Sequence, residues 1–89
     1  MSRQTKNAIA MKNYADMMAM RLWLKIGREI EMSGRTVRGV SSAAGTDHAL
    51  VLRHVRDARE GHVPSDTRVV IIDRLCRALG RPWSFFLSD

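Results

Sequence analysis

Apolar residues recur every three or four positions along most of this chain, which is the spacing of amphipathic helices. The clearest repeat is Leu22, Ile26 and Ile30, and Ser33-Gly34 follows it as a helix stop. The pattern predicts helices at 8–20, 21–32, 36–44, 47–59 and 66–79, and a short turn at 83–87 after Pro82. We therefore predict an all-α fold, a compact bundle of about five helices with an extra N-terminal helical segment.

The first 20 residues differ from the rest of the chain. Residues 1–7 are polar and basic and predict a flexible arm, whereas residues 8–20 are rich in methionine and have helix-forming composition. We expect residues 1–20 to be a basic arm and helical extension, and residues 21–89 to form the domain.

One segment combines features of a strand and of a helix. Val69 to Ile72 is a β-branched run, which is typical of strands. Ser65 or Asp66 can cap a helix at this place, and Gly80 can end it. We therefore interpret residues 66–79 as a helix.

The stretch from Thr36 to Val55 has the pattern of two short helices joined by a tight turn. Gly45 can adopt the left-handed conformation that ends the first helix, and Asp47 or Thr46 can cap the second. Gly39, inside the first helix, is expected to permit close packing or backbone approach. This arrangement is typical of a helix-turn-helix, in which the second helix enters the DNA major groove with its N-terminus first.

From about Leu22 to Leu87 the chain resembles the Cro/CI-type (XRE) helix-turn-helix family. The matching segments are Thr36-Val37-Arg38-Gly39-Val40, Ala44-Gly45-Thr46-Asp47, Val51 with Arg53, Gly61 with Pro64 and Ser65, and Leu75-Cys76-Arg77-Ala78-Leu79-Gly80. The chain departs from the family at His54, where an apolar residue is usual, and between Pro64 and Gly80, which is about one helical turn longer. The resemblance implies a lambda-repressor-like bundle and a bacterial, phage or mobile-element setting.

The resemblance also suggests which side chains read DNA bases: His48, Ala49 and Arg53. Phosphate contacts are expected from Thr36, Arg38, Thr46, Arg56 and Arg59, and Arg3 and Lys6 are candidates for a minor-groove arm. The alternative is a solvated charged face and a solvated tail. In that case Arg53–Asp57 and Arg56–Glu60 are surface ion pairs with i,i+4 spacing.

The charge balance favours a polyanionic partner. The chain has 15 Lys and Arg residues against nine Asp and Glu, a formal net charge of +6. Basic domains bind phosphate polymers through counterion release, although the same charge also serves solubility. The leading hypothesis is a sequence-specific transcriptional regulator, and more specifically a repressor, that binds an inverted-repeat operator on double-stranded DNA as a homodimer.

Apolar residues outside the minimal core predict a partner interface. The candidate residues are Tyr14, Met17, Met18, Trp23 and Trp83. Such a surface can serve the homodimer or a different protein, because methionine-rich surfaces adapt to many partners. The alternative function is therefore a protein-binding module on the same scaffold, an antiactivator or antitoxin that sequesters a protein. Nonspecific architectural DNA binding is a third hypothesis.

The sequence contains no pattern of catalytic or metal-binding residues. His48, His54 and His62 lack the spacing of metal ligands, and the single cysteine, Cys76, excludes an intramolecular disulfide. We expect Cys76 and His54 to be buried, and we expect no enzyme activity, no cofactor and no metal. No apolar run is long enough to span a membrane, so we expect a cytoplasmic location, associated with the nucleoid of a bacterial or phage-infected cell.

Overall fold

A computed structural model describes residues 3–65 and 67–88, with side chains from residue 14 onward. The helices of this part of the chain are α1 (Arg3–Met32), α2 (Val37–Ala44), α3 (His48–Arg59), α4 (Val69–Leu79) and α5 (Trp83–Leu87). The described residues form no strand, so the predicted all-α fold is confirmed, including the helical interpretation of the β-branched run at 69–72.

The helix α1 is continuous over 30 residues. The helical segments predicted at 8–20 and 21–32 are therefore one helix, which begins at Arg3, within the segment predicted to be a flexible arm. No Gly or Pro occurs between Arg3 and Ile26, so nothing in that stretch stops a helix. The side chains of the candidate arm residues Arg3 and Lys6 lie outside the described part of the chain.

The two short helices and the turn between them form at the predicted residues. Thr36 Oγ1 accepts a hydrogen bond from the Gly39 N–H at 3.0 Å and caps α2. Gly45 follows α2 in the left-handed conformation with φ of 69°. Asp47 Oδ1 accepts from the Ala49 N–H at 3.0 Å and caps α3. Each cap satisfies an N–H group that has no partner within its own helix, so local residues define both helix starts.

The helix α4 begins at Val69, later than the predicted start at residue 66. No side chain caps it, so the predicted Ser65 cap is wrong, and Asp66 lies outside the described residues. Tertiary contacts hold the preceding loop instead. Thr67 Oγ1 accepts from the Trp23 Nε1–H at 3.1 Å and lies 3.4 Å from the carbonyl oxygen of Pro64, which is buried. Residues 67 and 68, predicted to be helical, therefore belong to the loop.

The hydrophobic core collects residues from every one of these helices. Its buried members are Leu22, Trp23, Ile26, Ile30, Val40, Val51, Val55, Ala58, Ile72, Leu75, Cys76 and Phe86. The helices α1 and α3 approach closely at Gly27, where an added Cβ would lie 2.5 Å from Val55 Cγ1. Gly39 also allows a close contact, because a Cβ there would lie 3.2 Å from Thr36 Oγ1, the atom that caps α2.

His54 and Cys76 are buried, as predicted. The His54 ring packs edge-to-face against Trp23, with ring centroids 4.9 Å apart. Burial, and secondly the nearby Asp73 carboxylate, raise the pKa of the Cys76 thiol. A buried thiol that stays protonated is a weak nucleophile, so Cys76 serves packing.

Candidate nucleic-acid interface

The helix α3 has a buried face and an outer face. Its buried residues are Val51, His54, Val55 and Ala58. On the opposite side Ala49, Arg53 and Arg56 are exposed. At about 100° per residue, these three side chains fall within about 60° of one another. The outer face of α3 therefore presents the small apolar side chain of Ala49 near the start of the helix. The exposed guanidinium groups of Arg53 and Arg56 follow it along the same face.

The first turns of α2 and α3 lie beside each other. Arg38 Nη2 is 3.4 Å from His48 Nε2. Because arginine can only donate, this hydrogen bond requires Nε2 to be the unprotonated ring nitrogen. Arg38 is exposed and His48 is half-buried. The contact brings a predicted base-reading residue next to a predicted phosphate-binding residue, and the two helix starts form a joint surface.

The two threonines at the helix starts also have structural roles. Thr36 caps α2 and remains exposed at its N-terminus, where backbone N–H groups favour an anion. Thr46 is half-buried, and its N–H donates to the Ser41 carbonyl at 2.9 Å. Its hydroxyl lies 3.4 Å from the same oxygen. Thr46 therefore closes the turn, and Asp47 is the residue that caps α3.

Arg59 lies apart from the outer face of α3. Its guanidinium group forms an ion pair with Glu31 of α1. The same group lies close to Gly27, at the crossing of α1 and α3. Arg59 thus links two helices, and the structure does not bring it together with Arg53 and Arg56.

The cations of the outer face have no acidic partner among the described residues. Neither the Arg53–Asp57 pair nor the Arg56–Glu60 pair forms; the ion pairs of the described chain involve other residues. The expectation of surface ion pairs along α3 is therefore wrong. Arg53 and Arg56 can direct their guanidinium groups to an external anion.

The structure adds one cation that the sequence pattern did not indicate. Arg74 of α4 donates from Nη1 to the Gly45 carbonyl oxygen at 3.3 Å and is exposed. It lies beside the turn that precedes α3, although 29 positions separate the two residues along the chain. Only the packing of α4 against α2 brings them together, so no local motif could have revealed the contact.

Trp23 is not an interface residue. Its side chain is 0% exposed, it packs against His54, and its indole N–H donates to Thr67. The residue lies on the core side of α1, where it contacts α3 and the loop before α4. Its assignment to a partner surface is therefore corrected to the core.

The other residues predicted for a partner surface differ in exposure. Tyr14 and Met17 are exposed on α1, whereas Met18 is half-buried. Trp83 is half-buried, and its Nε1–H donates to Asp73 Oδ1 at 3.1 Å. Trp83 thus fastens α5 to α4, and the exposed members of the predicted set, Tyr14 and Met17, lie on α1.

The histidines occupy three separate environments. His48 contacts Arg38, His54 lies in the core, and His62 is exposed in the loop after α3. Among the residues that the structure describes, no group of three or more His, Cys, Asp or Glu side chains is placed to hold a metal ion.

Comparisons of the chain with protein families, with curated proteins and with solved structures find no match. The resemblance to the Cro/CI-type family therefore depends on its motifs alone. Within the described residues, no helix combines the length and the apolar character needed to cross a membrane.

Proposed function

We propose that this protein is a sequence-specific DNA-binding transcriptional regulator of the Cro/CI-type (XRE) helix-turn-helix class. One observation carries the proposal: the outer face of α3, positioned by caps at Thr36 and Asp47 and by the turn at Gly45, presents Arg53 and Arg56, which pair with no acidic side chain of the described residues. A helix held in this way and inserted N-terminus first is the reading element of a helix-turn-helix.

The side chains of this face have complementary roles. Arg53 can donate two hydrogen bonds to guanine O6 and N7, and Ala49 can contact a thymine methyl group. His48, at the helix start, can donate to a base acceptor. Arg56 and Arg38 are suited to phosphate, and the N-terminus of α2 at Thr36 adds backbone donors. Contacts with bases thus determine which DNA sequence is preferred. Contacts with phosphates determine the position of the protein on the duplex and the salt dependence of binding.

A single copy of this chain offers one such reading helix among its described residues. We propose that two copies bind an inverted repeat, with half-sites separated by about one turn of DNA, roughly 34 Å. Occupancy of such a site near a promoter blocks polymerase, and this mode of repression requires no catalytic group. The net charge of +6 supports the same partner.

The proposal is tested by presenting the purified protein with a pool of randomised duplexes at about 150 mM salt and sequencing the retained DNA. We expect a palindromic motif bound with a Kd of about 10⁻⁸ M or tighter. Equal retention of all duplexes, with binding that disappears as salt rises, would indicate nonspecific architectural binding and contradict the proposal.

A further inference from the structure

A second surface lies between α1 and α5, on a different flank of α1 from the one that contacts α3. It is an open groove of about 640 Å³. Leu24, Met32, Phe85 and Leu87 supply its apolar lining, and Met18 extends it toward the N-terminal half of α1. Gly27, which marks the side of α1 that meets α3, is not among the lining residues.

The apolar lining of the groove is left open to solvent. Met32 is 75% exposed, Leu87 is 50% exposed and Leu24 is 39% exposed. No described part of the chain covers these side chains. Contiguous exposed apolar side chains with a polar rim are characteristic of surfaces that bind a partner.

The rim of the groove is basic. Arg21, Lys25, Arg28 and Arg81 surround the apolar lining, and Glu29 is the one acidic residue among the described lining residues. Glu29 already pairs with Arg81 at 2.9 Å, and its side chain is only 13% exposed. Lys25 and Arg28 form no ion pair with a described residue, so the described rim is complementary to an acidic ligand.

Aromatic contacts hold part of this rim in place. Lys25 Nζ lies 4.9 Å from the centroid of the Phe85 ring, and the Arg81 guanidinium carbon lies 4.6 Å from the same centroid. Lys25 Nζ also donates to the Ser88 carbonyl at 2.6 Å. These contacts fix two cations next to the apolar lining, and Glu29 is the carboxylate that the described residues place beside them. An apolar floor and a fixed basic rim thus occur together.

We propose that this groove binds an acidic amphipathic helix of another protein. Apolar side chains at i, i+3, i+4 and i+7 of that helix would contact Leu24, Met32 and Leu87, and its carboxylates would face the rim. A second copy of this chain is a poor occupant, because a two-fold contact would bring the basic rims together. A concave groove between two helices also fits a helix better than it fits a flat bilayer.

The proposal does not depend on DNA binding. No residue of α3 lines the groove, so a ligand in the groove leaves the outer face of α3 free for DNA. An acidic partner in the groove would then join the DNA-bound protein without competing with DNA for α3.

The first test uses a synthetic amphipathic peptide of about 18 residues, five helical turns, with leucines at i, i+3, i+4 and i+7 and glutamates on the other face. Its matched controls are the same peptide with lysine for glutamate and an acidic peptide of identical composition in scrambled order. Fluorescence anisotropy should show saturable binding of the acidic amphipathic peptide, and binding at least about tenfold weaker for both controls. Equal binding of the three peptides, or of none, would overturn the proposal.

Variants locate the binding. Arg28→Glu should weaken binding of the acidic peptide by about fivefold or more, because it replaces an attraction to the glutamates with a repulsion. Leu24→Gln, at a partly exposed position that the fold tolerates, should also weaken it. Arg53→Glu makes the same charge change on α3 and should leave peptide binding unchanged. If Arg53→Glu weakened peptide binding as much as Arg28→Glu does, binding would depend only on the net charge of the protein. The groove would then not be the binding site.

Two further measurements distinguish other occupants. Sedimentation of the protein alone, with and without Leu24→Gln, would show a dimer that the substitution dissociates if a second copy filled the groove. Co-sedimentation with anionic phosphatidylserine vesicles, lost in Leu24→Gln, would indicate a lipid surface. Either result, without binding of the acidic peptide, would contradict the proposal.

Discussion

The outer face of α3 and the groove between α1 and α5 use basic side chains in opposite ways. On α3, Arg53 and Arg56 lie opposite the buried residues Val51, His54, Val55 and Ala58, and no acidic side chain of the described chain pairs with them. In the groove, Lys25 and Arg81 lie over the Phe85 ring, beside apolar side chains that remain exposed. The first surface offers charge to a polyanion, whereas the second offers an apolar floor with a charged edge to an amphipathic ligand.

This difference follows from how the two regions are built. The α2–α3 unit is fixed by local caps and a glycine turn, so its side chains on the solvent side are not needed for folding. The groove is formed by α5 lying against α1, and its cations help to hold that contact. A substitution on the outer face of α3 should therefore change DNA binding without changing the stability of the fold. A substitution where α1 meets the core should change the stability of the fold.

The largest effect is expected from Trp23→Ala. Removing this fully buried ring, together with its hydrogen bond to Thr67 and its contact with His54, should lower the free energy of unfolding by about 3–5 kcal/mol. Tyr14→Ala, on the exposed part of the same helix, should change it by less than about 0.5 kcal/mol. Urea denaturation of both variants measures the difference, and similar losses would show that residue 14 also belongs to the core.

Gly27→Ala tests the crossing of α1 and α3. Its Cβ would lie 2.5 Å from Val55 Cγ1, so the two helices must separate. We expect the free energy of unfolding to fall by about 2 kcal/mol. Gly39→Ala is the matched control. It places a methyl group 3.2 Å from the Thr36 hydroxyl, a tight contact that the gain in helix propensity opposes, so the free energy of unfolding should change by less than about 1 kcal/mol. A Gly27→Ala variant that is as stable as the parent would contradict the close approach.

Asp47→Ala tests whether the local cap defines the start of α3. Loss of the hydrogen bond to the Ala49 N–H should lower the free energy of unfolding by about 1 kcal/mol. Asp57→Ala removes an aspartate from the same helix that makes no cap, and should cost less than about 0.5 kcal/mol. Both variants lose one negative charge, so thermal denaturation compares their stabilities at equal net charge. Equal losses of stability would show that the change of charge, and not the cap, is responsible.

The smallest effect concerns Cys76. Because burial and Asp73 raise the pKa of its thiol above the ordinary value of 9.0, the folded protein holds this proton more tightly than the unfolded chain does. The stabilisation is fully present below that value and is lost as the pH rises through the higher pKa of the folded state. Denaturation at about pH 8 and about pH 10 should show a smaller decline for Cys76→Ala than for the parent. An identical decline in both proteins would contradict this role of the thiol.

Local features of the fold could be predicted from the sequence. The caps at Thr36 and Asp47 and the turn at Gly45 depend on residues within one helical turn of each other, and all three occur as expected. The burial of His54 and Cys76 followed from their positions on apolar helix faces. The outer position of Arg53 and Arg56 followed from the same helical spacing.

Features that depend on distant contacts could not be predicted. The start of α4 depends on Thr67 meeting Trp23, which is 44 positions away. The close approach at Gly27 depends on Val55, and the contact of Arg74 depends on Gly45. The groove itself appears only when α5 packs against α1, so the sequence indicated exposed methionines without indicating the basic rim that surrounds the apolar lining.

The most direct test of the central proposal is a titration of the parent protein, Arg53→Ala and Arg28→Ala against the selected operator and a scrambled duplex of equal length. Both variants lose one exposed arginine, one from α3 and one from α1. We expect Arg53→Ala to lose about 1–3 kcal/mol of preference for the operator while it retains nonspecific binding, and Arg28→Ala to keep the preference of the parent. If Arg53→Ala bound the operator as the parent does, α3 would not be the reading helix.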